Sequence, residues 1–396
     1  MRFIIPCVLV IMFMPKVTAQ RQQQIDTTIH GMTPIIPVER VELLKKVDFI
    51  AHMQTSLNNY FGDGEYTGSK FELNQFRLEI RGDVFEDKVY FRFRDRYTKE
   101  TEPQSVDNMS HSTDIAYIGY RISPKTSIAI GKMSAAWGGY EFDLNPIDIY
   151  EYNDIVESAD NFLTGLQFNW QVSSDHGLSF QILNSRTRTF EEIYGEIPNM
   201  ERAKFPAAYV IDWQGKFLAG KFKTLWSFSV FQEAKTDKPV NMYYVALGNQ
   251  FTTEKLLIQY DFKWSREDLD RTSIISDLIP DDVIPHAVRN TDYVEHWVRL
   301  VYPINKNWTV SAIGMVSDAY WRDRPNPETT GTHFRTSWGI IPSIEFFPIK
   351  NYNLKFFGSY VGRFYRYNNY AKTNFNAVNT NTGRIMVGLI APLLFL

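Results

Sequence analysis

From Asp48 onward the chain repeats one pattern, short segments in which apolar and polar side chains alternate, separated by turns. The stretch "VYFRFRDRY" (Val89–Tyr97) shows it in its sharpest form. Arg92, Arg94 and Arg96 fall on one register, and Val89, Phe91 and Phe93 fall on the other. A period of two is a strand signal, because successive side chains point to opposite faces. One face of this strand is therefore aromatic and the other carries guanidiniums. In a soluble sandwich the aromatic face would be core. In a transmembrane barrel it would meet lipid, and the arginines would line a lumen.

The connections between segments decide between these. About sixteen such segments can be marked, each near the 9–11 residues that cross a bilayer when tilted. Short turns include Glu86–Lys88, Ser123–Lys125, Ser173–His176, Thr252–Glu254, Ile304–Lys306 and Ile349–Tyr352. Between them lie long connections such as Lys99–Thr113, Ser134–Phe162, Arg186–Pro206, Ser265–Asp292, Tyr320–His333 and Tyr367–Thr382. Short turns on one rim and long loops on the other are the layout of outer-membrane barrels. A soluble sandwich has no reason to sort loop length by parity. The expected fold is all-β, a transmembrane antiparallel β-barrel, with both termini on the short-turn, periplasmic side.

The start of the chain agrees with export. "MRFIIPCVLVIMFMPKVTAQ" has Arg2, then an apolar run from Phe3 to Met14, then the small-residue pattern Val17-Thr18-Ala19. This reads as a signal peptide over residues 1–19. Its apolar run is short of the roughly 18–20 residues that a spanning helix needs. Residues 20–47 read as a periplasmic segment in which "PVERVELLKKV" makes one short helix, and residues 48–396 as the barrel domain. Cys7 is the only cysteine and leaves with the leader, which excludes disulfides, cysteine-ligated metals and a cysteine nucleophile. Loss of Arg2 and Lys16 with the leader takes the formal charge from −3 to −5, too mild to imply a nucleic-acid partner. The closing stretch "GLIAPLLFL" is an apolar strand with Phe395 one residue from its end.

Two stretches carry a family resemblance. "FELNQFRLEIRG" (Phe71–Gly82) resembles an early strand of the phosphate-selective porin O and P family, particularly its Bacteroidetes-type members, at Phe71, Leu73, Arg77, Leu78 and Gly82. Asn74 and Gln75 stand where that family pattern has paired arginines. "IGKMSAAWGGYEF" (Ile130–Phe142) is similar to the family's strand that ends in Gly and Lys before a Gly-Glu loop. The resemblance implies a homotrimeric porin in outer-membrane lipid, with its third long extracellular loop folded into the lumen.

Charge patterning then suggests a pore. "FRLEIRGDV" repeats the alternation, with Arg77, Glu79, Arg81 and Asp83 on the polar register. A charge facing lipid near the midplane costs roughly 2–4 kcal/mol, so these registers should face water. The expected pore-lining, anion-facing set is Arg77, Arg81, Arg92, Arg94 and Arg96. The third long loop has the opposite sign. Between Ala135 and Asn161 it holds seven carboxylates and neither Lys nor Arg. Glu141, Asp143, Asp148, Glu151 and Asp154 are the expected constriction residues, joined by Glu157 and Asp160. Trp137, Tyr140, Phe142, Tyr150 and Tyr152 are expected to anchor the loop by packing. Small hydrophilic solutes or anions, phosphate among them, are the expected cargo, and no cofactor or metal is expected. The histidines are scattered without metal-ligand spacing. "DLDRTSIISD" (Asp268–Asp277) has acids near a calcium-loop spacing, but Arg271 and the missing Gly argue for a solvated loop instead. The expectation is a channel and not an enzyme. A surface-binding or adhesion barrel, resting on the long loops, is the alternative, and a barrel hydrolase is a weaker one.

Overall fold

A computed structural model describes residues 46–85, 87–98, 109–324, 331–349 and 352–395. The expected leader, almost all of the segment 20–47 with its helix, and parts of the connections at 99–108 and 325–330 lie outside the described residues.

Sixteen strands form one closed sheet. They are β1 (Val47–Gly62), β2 (Glu65–Val84), β3 (Val89–Thr98), β4 (Met109–Ser123), β5 (Thr126–Ser134), β6 (Phe162–Gln171), β7 (His176–Asn184) and β8 (Ala207–Phe217). They continue with β9 (Phe222–Lys235), β10 (Pro239–Thr252), β11 (Leu257–Leu269), β12 (Arg289–Pro303), β13 (Trp308–Trp321), β14 (His333–Phe346), β15 (Lys355–Tyr367) and β16 (Thr380–Leu394). A two-residue strand, Glu201–Arg202, pairs with the outer end of β9. Each strand pairs antiparallel with its neighbours in sequence, and β16 pairs with β1 from Ile50↔Leu394 to Gly62↔Thr382. Closure removes the sheet edges that would otherwise present unpaired backbone groups to lipid. At the seam the Phe395 N–H donates to the Phe49 carbonyl at 2.8 Å, and the two rings sit 5.7 Å apart.

The alternation sorts side chains as expected. Ile118, Ile130, Leu166 and Val387 are more than half exposed on the outer surface. Inward, β11 buries Gln259, Asp261, Lys263, Ser265 and Glu267, while Tyr260, Phe262 and Trp264 take the outer register. On β3, Phe93 is 40 % exposed while Arg92 and Arg94 are buried. The lipid-facing aromatic stripe and the inward arginine stripe are thus the two faces of one strand.

Loop lengths sort less cleanly than expected. Two connections on the long-loop rim are tight. Asp63-Gly64 joins β1 to β2, with both residues at positive φ (50° and 91°), as a two-residue hairpin requires. Residues 236–238 join β9 to β10. At both places the ladder simply continues, so that β2 reaches 20 residues.

Among the described residues three of the other outer connections carry short α-helices: α1 (Tyr140–Asp143) and α2 (Asp154–Ser158) in the third long loop, α3 (Phe190–Tyr194) in the next, and α4 (Asn369–Phe375) before β16. Helix α3 starts with a capping box. Hydrogen bonds from the Thr189 backbone and hydroxyl hold the Glu192 carboxyl below its ordinary range. The apolar core lies inside the outer half of the barrel. There Trp137 stacks on Phe231 (5.0 Å) and meets Tyr244 edge-on (4.7 Å), among Ile275, Ile279 and Phe334.

Candidate functional site

The arginine wall is built by β2, β3 and β4. The β2–β3 register sets Arg77 opposite Arg96, Glu79 opposite Arg94 and Arg81 opposite Arg92. Like charges directly across a ladder destabilise it, so the wall needs interleaved acids. Glu79, fully buried, accepts from both Nε and Nη2 of Arg92 at 2.9 Å, a two-pronged charge-assisted pair. The second acid is Asp114. By strict alternation it would share the lipid-facing register of Ala116 and Ile118. A bulge prevents this: Arg94 pairs with Ile115 and Asp95 with Thr113, so the ladder skips Asp114. The extra residue re-aims the side chain inward. Its carboxylate lies 3.3 Å from Arg96, 3.8 Å from Arg94 and 4.0 Å from Arg77. Arg81 sits lower in the barrel, paired with Asp48 at 3.2 Å and sharing Glu79 (3.7 Å) with Arg92, and is outside the cavity that the other four line.

The third long loop packs against the opposite wall. Gly138 and Gly139 adopt φ of 74° and 83°. A side chain at Gly248 of β10 would come within 2.8 Å of the Gly139 Cα, so loop backbone lies directly on strand backbone. Asp261 of β11 accepts hydrogen bonds from the Tyr140 and Glu141 N–H groups, both at 2.8 Å. Glu141 pairs with Lys263 and accepts from the Asn153 N–H at 2.6 Å. Glu295 of β12 accepts from the Ile155 N–H at 2.7 Å and lies 3.3 Å from Lys263. Asp148 meets Lys355 at 2.7 Å. Asp154 is held by Arg335, by Arg363 at 2.8 Å and by the Ser337 hydroxyl at 2.8 Å. Glu151 meets Arg384 at 3.3 Å, and Asp160 meets Arg271 at 3.3 Å.

Between the two walls lies a cavity of about 750 Å³. Arg77, Arg92, Arg94 and Arg96 line one side, and Asp143, Glu151, Asp154, Glu157 and Tyr152 the other, where Arg363 and Arg384 partly offset Asp154 and Glu151. The Arg94 guanidinium rests over the Phe162 ring, 5.2 Å from its centre. Burial pushes the Tyr152 hydroxyl up to about 12, with Arg77 pulling against it, which reflects how near this loop residue is to the arginine wall.

The expected site residues thus divide. Arg77, Arg92, Arg94 and Arg96 gather at the cavity, and Arg81 does not. Asp143, Glu151 and Asp154 reach it. Glu141 and Asp148 are turned to the far wall, because buried Lys263 and Lys355 draw them there. Four of the five expected aromatic anchors are packing residues: Trp137 enters the main core with Phe142 against it, and Tyr140 and Tyr150 pack in a second cluster with Trp297 and Phe357, whereas Tyr152 lines the cavity. The stretch Asp268–Asp277 is not the solvated loop expected. Asp270, Arg271 and Thr272 are buried, with Asp270 accepting from Ser276 and Thr291 and Arg271 pairing with Glu233. Its ionic partners on other elements pull it inward. Among the described residues no three His, Cys, Asp or Glu side chains gather as a metal-ligating group. Sequence reasoning missed the anchoring residues Asp261, Lys263, Glu295, Arg335, Lys355 and Arg363. For Asp261 and Lys263 the signal was present, since they occupy the polar register of a strand whose other face is Tyr260, Phe262 and Trp264.

Residues 50–389 match a family model described as phosphate-selective porin O and P. Among curated proteins none matches the chain. Among solved structures, the outer-membrane channel DcaP of Acinetobacter baumannii is similar with a TM-score of 0.60 at 12% identity, over 87% of this chain and 96% of that one. An anion-selective porin from Comamonas acidovorans is similar at 0.56 and 9%, over 88% and 99%. The trimer form of OmpT from Vibrio cholerae is similar at 0.52 and 10%, over 87% and 98%. At such identities the likeness is one of fold.

Proposed function

The chain belongs to the phosphate-selective porin O and P family and is an outer-membrane porin, and from that premise we propose how its lumen works. The third long loop is the constriction of a water-filled channel through which small hydrophilic solutes diffuse passively. The arginine wall draws anions toward the narrowing and the loop carboxylates moderate that preference. Rings and walls of charge set ion preference in a pore without any covalent chemistry. The channel is not an enzyme and needs no cofactor. It functions as a homotrimer, a state for which the trimer form of a similar fold is the support. Residues 1–19 are the export signal, 20–47 remain periplasmic and 48–396 form the barrel.

The observation that carries this reading is the cavity of about 750 Å³ with Arg77, Arg92, Arg94 and Arg96 on one side and loop carboxylates on the other. Phosphate is a weak ligand in this reading. Glu79 already occupies Arg92, and Asp114 sits within 4.0 Å of three further arginines. Planar-bilayer recording of the purified protein tests it. Stepwise conductance with a modest anion preference in a KCl gradient, and only slight block by phosphate, is the expected result. Strong block by dilute phosphate would make the wall a dedicated phosphate site. Absence of any conductance would overturn the channel reading.

A further inference from the structure

The cavity carries both signs of charge on facing sides, and that restricts what suits it. A phosphate dianion on the arginine side would approach Asp114, whose carboxylate is 3.3–4.0 Å from Arg96, Arg94 and Arg77. It would also face Asp143, Glu151 and Glu157 across the cavity. A simple cation meets the converse problem. A neutral solute gains nothing from either side. A solute with a carboxylate at one end and an ammonium at the other gains from both, because each end meets its opposite charge in a confined space of reduced dielectric. Two details favour this. Arg77 lines the cavity, and its buried Nη1 makes no hydrogen bond with any described residue, so the wall does not use all of that guanidinium's donors internally. Tyr152, Tyr365 and Phe162 line the same cavity and offer flat apolar surface beside the charges.

We infer that the cavity is a transit site for small zwitterions, free α-amino acids and short peptides. The carboxylate is taken by Arg77, Arg94 and Arg96, and the ammonium by Asp143 and Glu151. This deepens the channel reading above and rests on it.

The test uses two isomers, alanine and lactamide. They have the same atoms, nearly the same size and no net charge, but only alanine is a zwitterion. Uptake of each radiolabelled compound at equal low concentration is measured in proteoliposomes holding the full-length mature protein, after subtraction of protein-free vesicles. Alanine is expected to enter about fivefold faster, equivalent to roughly 1 kcal/mol of differential interaction. The paired changes D143N with E151Q, and separately R77Q with R96Q, are each expected to bring the ratio down toward one. A wild-type ratio of one or below overturns the inference and leaves a size sieve. A high ratio unmoved by both variant pairs overturns the assignment of the two sides. If neither isomer enters, the channel reading itself fails, which is a separate outcome.

Discussion

The two sides of the lumen use the same chemistry for different ends. On β2–β4, guanidiniums and carboxylates come from neighbouring strands: Arg92 with Glu79, and Arg77, Arg94 and Arg96 around Asp114. On β11–β16 the bases stand on strands and further acids arrive from the loop: Glu141 joins Glu295 at Lys263, Asp148 joins Glu345 at Lys355, and Asp154 meets Arg335 and Arg363. A wall that neutralises itself from within keeps its surface open to the cavity. A wall whose counter-charges are delivered by another segment becomes the seat of that segment. The location of the partner, more than the charge itself, decides whether an arginine meets solute or holds architecture.

The sharpest way to break this contrast is Lys263→Met. It leaves Glu141 and Glu295 buried without their shared cation, a loss of roughly 3–5 kcal/mol when one member of a buried pair is removed. The loop should detach, giving larger unitary conductance and new protease cleavage between residues 135 and 161. Unchanged conductance and an uncut loop would show that the Lys263 pairing is not what seats it. Next in size is Gly139→Ala, where a side chain must occupy positive φ and meet Asp261 at 3.0 Å. About 1–3 kcal/mol of strain is expected, read as a lower unfolding temperature together with noisier open-channel current. Asp114→Asn acts on the other wall. It removes the only acid that the bulge brings in and should move the reversal potential toward stronger anion selectivity at constant conductance. A shift toward cations would mean that Asp114 does not offset the arginines. Arg96→Gln should give the reverse shift, smaller because Arg96 is about one-third exposed and more screened.

The smallest effect is expected from moderate acidity. Burial raises the Asp154 carboxyl, but Arg335 and Arg363 outweigh it and leave the group below the ordinary aspartate range. A depressed carboxyl stabilises the folded state above its unfolded value, and that contribution falls away as pH drops from there through the lower, folded value, where the folded group itself takes up its proton. The Asp154 contact should therefore persist from neutral pH down through the ordinary aspartate range, and a conductance set by that contact should rise only in stronger acid. A rise already near pH 5 would place the anchor elsewhere.

The barrel was legible in the sequence because its signal is local. Period two sorted Phe93 outward and Arg92 and Arg94 inward without any knowledge of partners. The bulge was not read, though it left a trace. Asp114 shares a register with Ala116 and Ile118, and a carboxylate among lipid-facing side chains is costly enough to demand a break in alternation. The loop was harder for a physical reason. Outside regular structure a side chain has no fixed face, so Glu141 and Glu151 look alike until Lys263 and Arg384 are set in space. The tight Asp63-Gly64 turn went unmarked because a strand that continues past the membrane reads no differently from a short loop.

The seam between β1 and β16 has a consequence in time. Ile50 is held by Leu394 and Phe49 by Phe395, partners separated by almost the whole chain. Pairings of such sequence distance are the slowest to form. Every other strand can zip to a neighbour made moments earlier, but β1 keeps one side unmatched until the last strand exists. The protein must therefore pass through an open, adhesive sheet before it becomes a ring, and its vulnerable interval ends with the arrival of a single phenylalanine.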